Sequence, residues 1–242
     1  MSAATADRST SFFGTVLMMG LLVSAGTTIY AGTLLTSESD GFVEDGTDAT
    51  SKRFAGVAAA SFDNSGSATD GQDEDGEEAE LEVYTRGVFR FAASGLAAED
   101  VGKAVYLLDN QTVVLSGHAS LDYHIYVGRI AKYISASECL VELDTYGVDP
   151  NLHDGMIEVA GVNAAAIDLA SNAFATNRGG TGVYVKAVEA VEAIVTATGA
   201  PATVYRKVVT THWTLASGVI TTVGDESANT LRISGKFVVK QA

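Results

Sequence analysis

The chain has a single cysteine, Cys139, so no internal disulfide can staple it. Proline occurs twice and tryptophan once. Positive charge is scarce: 15 Lys and Arg stand against 30 Asp and Glu, a formal net charge of −15. No basic cluster occurs anywhere, which disfavours nucleic acid as a partner, because phosphate contacts need a Lys/Arg footprint. Acidity with few lysines also suits a high-salt habitat. Charged residues make up only 19%, below the roughly 25% of an ordinary soluble domain, so Thr, Ser, Asn and Gly must carry much of the surface polarity. The motifs of common chemistries are missing too. The four histidines, His118, His124, His153 and His212, lack HExxH or zinc-finger spacing, and there is no Gly-x-Ser-x-Gly elbow and no phosphate loop.

What is present is apolar and β-prone. Hydrophobic residues reach 47% of 242, enough for one large core or two small ones. Strand signals dominate from residue 27 to 148: TIYAGTLL at 28–35, the small apolar run 54–62, alternation at 80–84, and a hairpin of 104–108 and 112–115 around Asp109-Asn110-Gln111. Runs 123–134 and 140–143 complete the set. Many short strands with Gly-rich turns predict an all-β barrel or sandwich. Asp149-Pro150-Asn151 breaks the pattern. Beyond it, 183–198, 203–215, 219–223 and 231–239 predict a second, small sandwich-like β-domain. Three regions follow: an apolar N-terminal arm at 1–26, a barrel-like domain at 27–148 and a second β-rich domain at 149–242.

The arm contains FFGTVLMMGLLVSA at 12–25. It resembles the core of a cleaved leader, but Asp7 stands beside Arg8 where such leaders are purely basic. It is also too short and too glycine-broken to span a membrane. The expectation is an arm that packs on its own domain or on a neighbouring subunit, with a cleaved leader as the alternative.

A weak internal repeat runs through the barrel region. Glu80–Val88 (ELEVYTRGV) aligns with Leu140–Val148 (LVELDTYGV), matching Glu, Thr, Gly and Val, and Phe54–Ala58 aligns with the region of Tyr126–Ala131. Each unit reads as a hairpin, a glycine-centred strand and an outgoing strand, and two such units are expected to close into one barrel.

Four places invite a chemical reading. Cys139 lies in an alternating strand and reads as a small buried hydrophobe. His124 lies in an aromatic strand and reads as structural, His118 and His153 as solvated turn residues, and His212 beside Trp213 as core packing. The acidic loop 63–78 places Asp73, Asp75, Gly76 and Glu82 at calcium-loop spacing. However, Gly71 occupies the first ligand position, Glu78 replaces the apolar one, and the flanks are strand-like. The residues thus predict no catalytic site, no cofactor site and no metal site.

The segment Thr27–Gly147 resembles the head decoration, or capsid cement, proteins of tailed phages. The resemblance rests on an ordered series: TIYAGTLL at 28, DGFV at 40, RFAGVA at 53, LEVYTRGVFRF at 81, AEDVGKAVYLLDNQTV at 98 and YVGRI at 126. It implies a small β-barrel-like fold, self-association as a trimer, the major capsid protein as partner, a place on the outer surface of the virion, and no catalytic residue. Membrane and nucleic acid have no part in it. The long apolar N-terminus and everything after Asp149 depart from the family pattern. Two other readings stay open: a tail-tube or fibre-base virion protein, and a secreted carbohydrate-binding β-module.

Overall fold

The structure is a computed structural model that describes residues 4–8, 12–147, 149–163, 182–195, 203–207, 213–216, 219–222 and 225–240. The protein is all-β, and its one helical element among the described residues is a 3-10 turn at Ala98–Asp100. None of these residues forms a helix long and apolar enough to cross a membrane. The chain divides into two compact units, Met1–Asp149 and Pro150–Ala242.

The first unit contains β1 (Phe12–Leu22), β2 (Thr28–Ile29), β3 (Leu34–Ser37), β4 (Val43–Asp45), β5 (Arg53–Ala58), β6 (Phe62–Asp63), β7 (Glu80–Ala93), β8 (Ala104–Asp109), β9 (Thr112–Val114), β10 (Tyr126–Ser135) and β11 (Glu138–Asp144). The apolar N-terminal run is therefore a strand of this unit, antiparallel to β7. Along the sheet the order is β11-β10-β8-β9-β7-β5-β3-β4, and β11 also pairs with β7. That last pairing closes β7, β9, β8, β10 and β11 into a five-stranded barrel.

The repeat seen in the sequence is a repeat of topology. In each copy a hairpin is followed by a strand pairing with its first arm, then by an outgoing strand: β4-β3-β5-β7 and β9-β8-β10-β11. The expectation that both copies share one barrel does not hold, because each copy has its own fifth strand. In the second copy β7 pairs antiparallel with β11 and parallel with β9. In the first, β1 pairs antiparallel with β7, and a parallel bridge joins Val23, just past its end, to Val43 of β4. Strand β7 thus serves both rings, as the outgoing strand of one and the closing strand of the other.

Burial follows this arrangement. Strand β7 alternates inward and outward over its whole length. Its inward Leu81 and Val83 join Val23, Ile29, Leu35, Val43 and Ala55 in one core. Phe89 and Phe91 join Val105, Leu107, Val127, Ile130 and Val141 in the other. Strands β3 and β5 are buried on both faces, with Leu34, Phe54 and Val57 in the barrel core and Leu35, Ala55 and Ala58 in the first-ring core. That explains why they read as continuous apolar runs and not as alternating ones.

The 3-10 turn between β7 and β8 is held by buried Asp100, whose carboxylate accepts from the Ala97 amide at 2.6 Å and faces Lys103 Nζ at 2.9 Å. Burial alone would push this carboxyl up, but the amide and the ammonium outweigh it and hold it below its ordinary value. A lowered carboxyl stabilises the fold above its unfolded-state pKa, and that contribution fades as pH falls through the folded value. Asp100→Asn is expected to cost about 1–2 kcal/mol at neutral pH and to flatten the acid limb of stability. Urea midpoints for both proteins between neutral and strongly acidic pH will check this.

The second unit forms an antiparallel sheet in the order β12-β17-β13-β14, from β12 (Leu152–Asn163), β13 (Gly182–Val195), β14 (Thr203–Lys207) and β17 (Asp225–Lys240). A separate hairpin pairs β15 (Trp213–Ala216) with β16 (Val219–Thr222). These described strands make one sheet and one ribbon. The valine-rich run from 183, which fits helical and strand spacing alike, is strand β13.

Candidate functional site

The residues singled out for chemistry are dispersed. Cys139 is fully buried in the barrel core, a core side chain whose thiol burial pushes up to about 12. His124 is buried with its ring edge-on to Tyr106, centroids 5.5 Å apart, and its Nε2 lies 2.9 Å from the Ser116 carbonyl. Half-buried His118 accepts from the Ser120 amide at 3.3 Å. His153 lies on β12 and Trp213 opens β15, while His212 falls outside the described residues.

In the acidic loop, Asp73 Oδ1 accepts from the amides of Asp75 at 3.0 Å and Glu77 at 2.9 Å. The Asp73 carboxylate therefore organises a turn. Among the described residues no group of three or more His, Cys, Asp or Glu side chains could hold a metal ion.

Strand β1 is the feature that stands out. Its sequence, FFGTVLMMGLL, contains no ionisable residue. One edge pairs with β7, and from Phe12 to Leu22 the other edge has no strand partner among the described residues. Phe13 is 53% exposed, Leu17 51%, Met19 42% and Met18 37%. Phe13, Leu17 and Met18 lie opposite outward residues of β7 and Met19 opposite inward Val83, so both faces of the strand meet solvent. Long, free, apolar edges are ordinarily blunted by charge, proline or closure, because they template pairing with another chain.

The surroundings hold β1 firmly in place. Between Phe13 and Leu17 the β1–β7 register shifts. There Val16 folds inward onto the barrel core and lies against Gly87. Gly87 adopts φ +140°, and a Cβ there would meet Val16 Cγ1 at 2.8 Å and Phe89 Cε2 at 2.7 Å, so only glycine suits the position. The Thr85 hydroxyl donates to the Leu17 carbonyl at 3.4 Å, and the Tyr146 hydroxyl lies 3.1 Å from Met19 Sδ.

Upstream, the Ala4 amide donates to Asn110 Oδ1 at 2.7 Å, Asn110 Nδ2 donates to Asp45 at 2.6 Å, and the Arg8 amide donates to the Ala31 carbonyl at 2.8 Å. Burial pushes the Asp45 carboxyl up, against the hydrogen bond from Asn110. Burial likewise lowers Arg8, against the attraction of Asp109. Downstream, the Ser24 amide donates to the Val43 carbonyl at 2.9 Å, so the chain is tethered on both sides of β1 and the strand itself is displayed.

The outward face of β7 beside β1 is polarised. Glu80 and Glu82 flank Leu22 and Gly20, whereas Arg86 flanks Leu17 nearer the other end. The Glu80 carboxylate lies across β1 at Gly20, where any Cβ would overlap it. Arg90 is already engaged by Glu138, at 3.0 Å through Nε. Such a strand can offer backbone hydrogen bonds and apolar side chains to another chain; it offers no group suited to bond chemistry. Comparison of the chain with protein-family models, with curated proteins and with solved structures gives no match.

Proposed function

We propose that the chain is a non-catalytic structural component of a tailed-virus head, held on the outer capsid surface by the major capsid protein and stabilising the shell. The observation that carries the reading is β1, an uncharged, tethered strand with a free edge on an otherwise acidic, closed double ring. Support also comes from the ordered series of words between Thr28 and Ile130 that resembles the decoration proteins. A cement protein adds interface area between shell subunits, so its binding shifts the shell toward the intact state by mass action. Many copies act together, so each contact can be modest. Neither nucleic acid nor a membrane enters this reading.

The test uses heads assembled without the chain. Purified chain is expected to saturate them and to raise the temperature at which they release their contents. Deleting residues 1–26 is a blunt probe, because Val23 belongs to the first-ring core. Leu17→Glu is sharper, since Leu17 is half exposed and belongs to neither core. It is expected to lower occupancy at least about tenfold, while Val101→Glu, at another exposed apolar site, leaves occupancy unchanged. Heads that ignore the wild-type chain, or that fill equally with Leu17→Glu, would refute the reading.

A further inference from the structure

We propose that Asp45 is a proton-controlled latch for the segment 4–8, holding its Ala4 end while the side chain carries a proton and loosening it once that proton leaves. The inference goes beyond the shell reading and does not rest on it.

The latch is a relay through one carboxamide. The Ala4 amide donates to Asn110 Oδ1 at 2.7 Å, and Asn110 Nδ2 donates to Asp45 Oδ2 at 2.6 Å. Asn110 is fully buried, and its main-chain carbonyl accepts from the Leu34 amide at 2.7 Å. Its backbone is thus fixed and its side chain is bonded at both ends, so a shift of Asp45 is felt at Ala4. The rest of the segment is anchored elsewhere. Asp7 accepts from the Ala31 amide at 3.3 Å and from the Ser61 hydroxyl, and the Arg8 amide donates to the Ala31 carbonyl at 2.8 Å. Of these anchors only the one at Ala4 runs through Asp45.

Asp45 is poorly provided for as an anion. Its Oδ1 is buried and has no hydrogen-bond partner. The Gly46 amide donates to the Leu34 carbonyl at 3.0 Å, and the Thr36 hydroxyl donates to the main-chain carbonyl of Asp45 at 3.3 Å. The strands packed beside β4, β2 and β3, bring no ionisable side chain. The charges that face Asp45 are of its own sign: Glu44 on the same strand, itself tied to Lys52, and Asp109 at the end of β8. From the N-terminal segment Arg8 is drawn to Asp109, and among the described residues no cation forms an ion pair with Asp45. Burial, joined by Glu44 and Asp109, outweighs the bonds from Asn110 and Gly46 and pushes the carboxyl up.

Ionisation changes what the relay can hold. The neutral carboxyl offers Asn110 an oxygen and leaves at most one hydroxyl unpaired. The carboxylate leaves a buried, charged oxygen without a partner, which costs far more. That cost is relieved when water reaches Oδ1. Admitting water draws the carboxylate away from Asn110, and the carboxamide that followed it lets go of Ala4. The sign is opposite to that at Asp100. A raised carboxyl favours the closed segment at acid pH, and the advantage is lost as pH rises through the folded-state value.

The test is amide exchange of the full chain, followed by NMR. Protection at Ala4 is expected to fall at least about threefold between about pH 4 and about pH 7. In Asp45→Asn, where no proton can leave, Ala4 is expected to be equally protected at both pH values. In Asn110→Ala it is expected to be weakly protected at both. The wild-type chain gives a second reading that needs no variant: the Asp45 carboxyl carbon is expected to titrate above the ordinary carboxyl range. Protection at Ala4 that holds or rises with pH in the wild type overturns the inference. So does an equal fall in Asp45→Asn, or an Asp45 carboxyl that titrates at or below its ordinary value.

Discussion

Replacing Gly128 by alanine is expected to destabilise the first unit by about 3 kcal/mol, read as a fall in the urea midpoint at unchanged slope. Gly128 sits in β10 opposite Leu143 of β11, at a register shift against β8. A Cβ at this position would lie 2.0 Å from the Glu142 carbonyl oxygen and 3.2 Å from Leu143 Cα. Both obstacles are backbone, and both belong to the strand that closes the barrel onto β7. Neither can yield without opening the β10–β11 or β11–β7 ladder, so the overlap cannot be relieved by a rotamer change. Gly26→Ala is the control. Gly26 has φ +68° and open space where a Cβ would stand, so its cost is conformational only, about 1 kcal/mol. If the two alanines cost the same, the contact between β10 and β11 is not what requires glycine at 128.

Much of this architecture is readable from the chain, and the exceptions have physical reasons. Alternation marks the start of β7, but the sequence reading carries it only from 80 to 84. The structure carries one strand past that point because Gly87 accommodates the bulge that seats Val16. The repeat is legible because hairpin, glycine strand and outgoing strand recur locally. How the units close is not: β7–β11 and β7–β9 join residues far apart in sequence, and parallel pairing leaves no turn signature. Strand β1 reads as an arm because a run without ionisable residues, broken only by glycine and one threonine, has neither the period of a half-buried strand nor that of an amphipathic helix. Its exposure, which makes it the candidate site, is the property that hydrophobicity alone would deny. The turns of the acidic loop and the burial of Cys139 are as expected from their neighbours, since both depend on local pattern.

Phe89→Ala is expected to have the larger effect, a loss of about 3–5 kcal/mol, a large part of the whole for a domain whose net stability is typically about 5–15 kcal/mol. Phe89 is fully buried, and it lies where β7 is paired on both edges, to Phe12 of β1 and to Val141 of β11. Its ring rests against Tyr84 with centroids 5.2 Å apart and covers the space above Gly87. Truncation therefore opens a cavity beneath Val16, the inward anchor of β1, as well as in the barrel core. The loss should not be confined to one ring. Strand β7 runs through both cores, so the rings share a strand that cannot unpair from one and stay ordered in the other. Hydrogen exchange on Phe89→Ala should show protection falling together in β5, β7 and β11, with a single urea transition at a lower midpoint. Two separated transitions would mean that the rings fold independently in spite of their common strand. A loss of protection limited to β1 would mean that Phe89 serves only to seat the displayed edge.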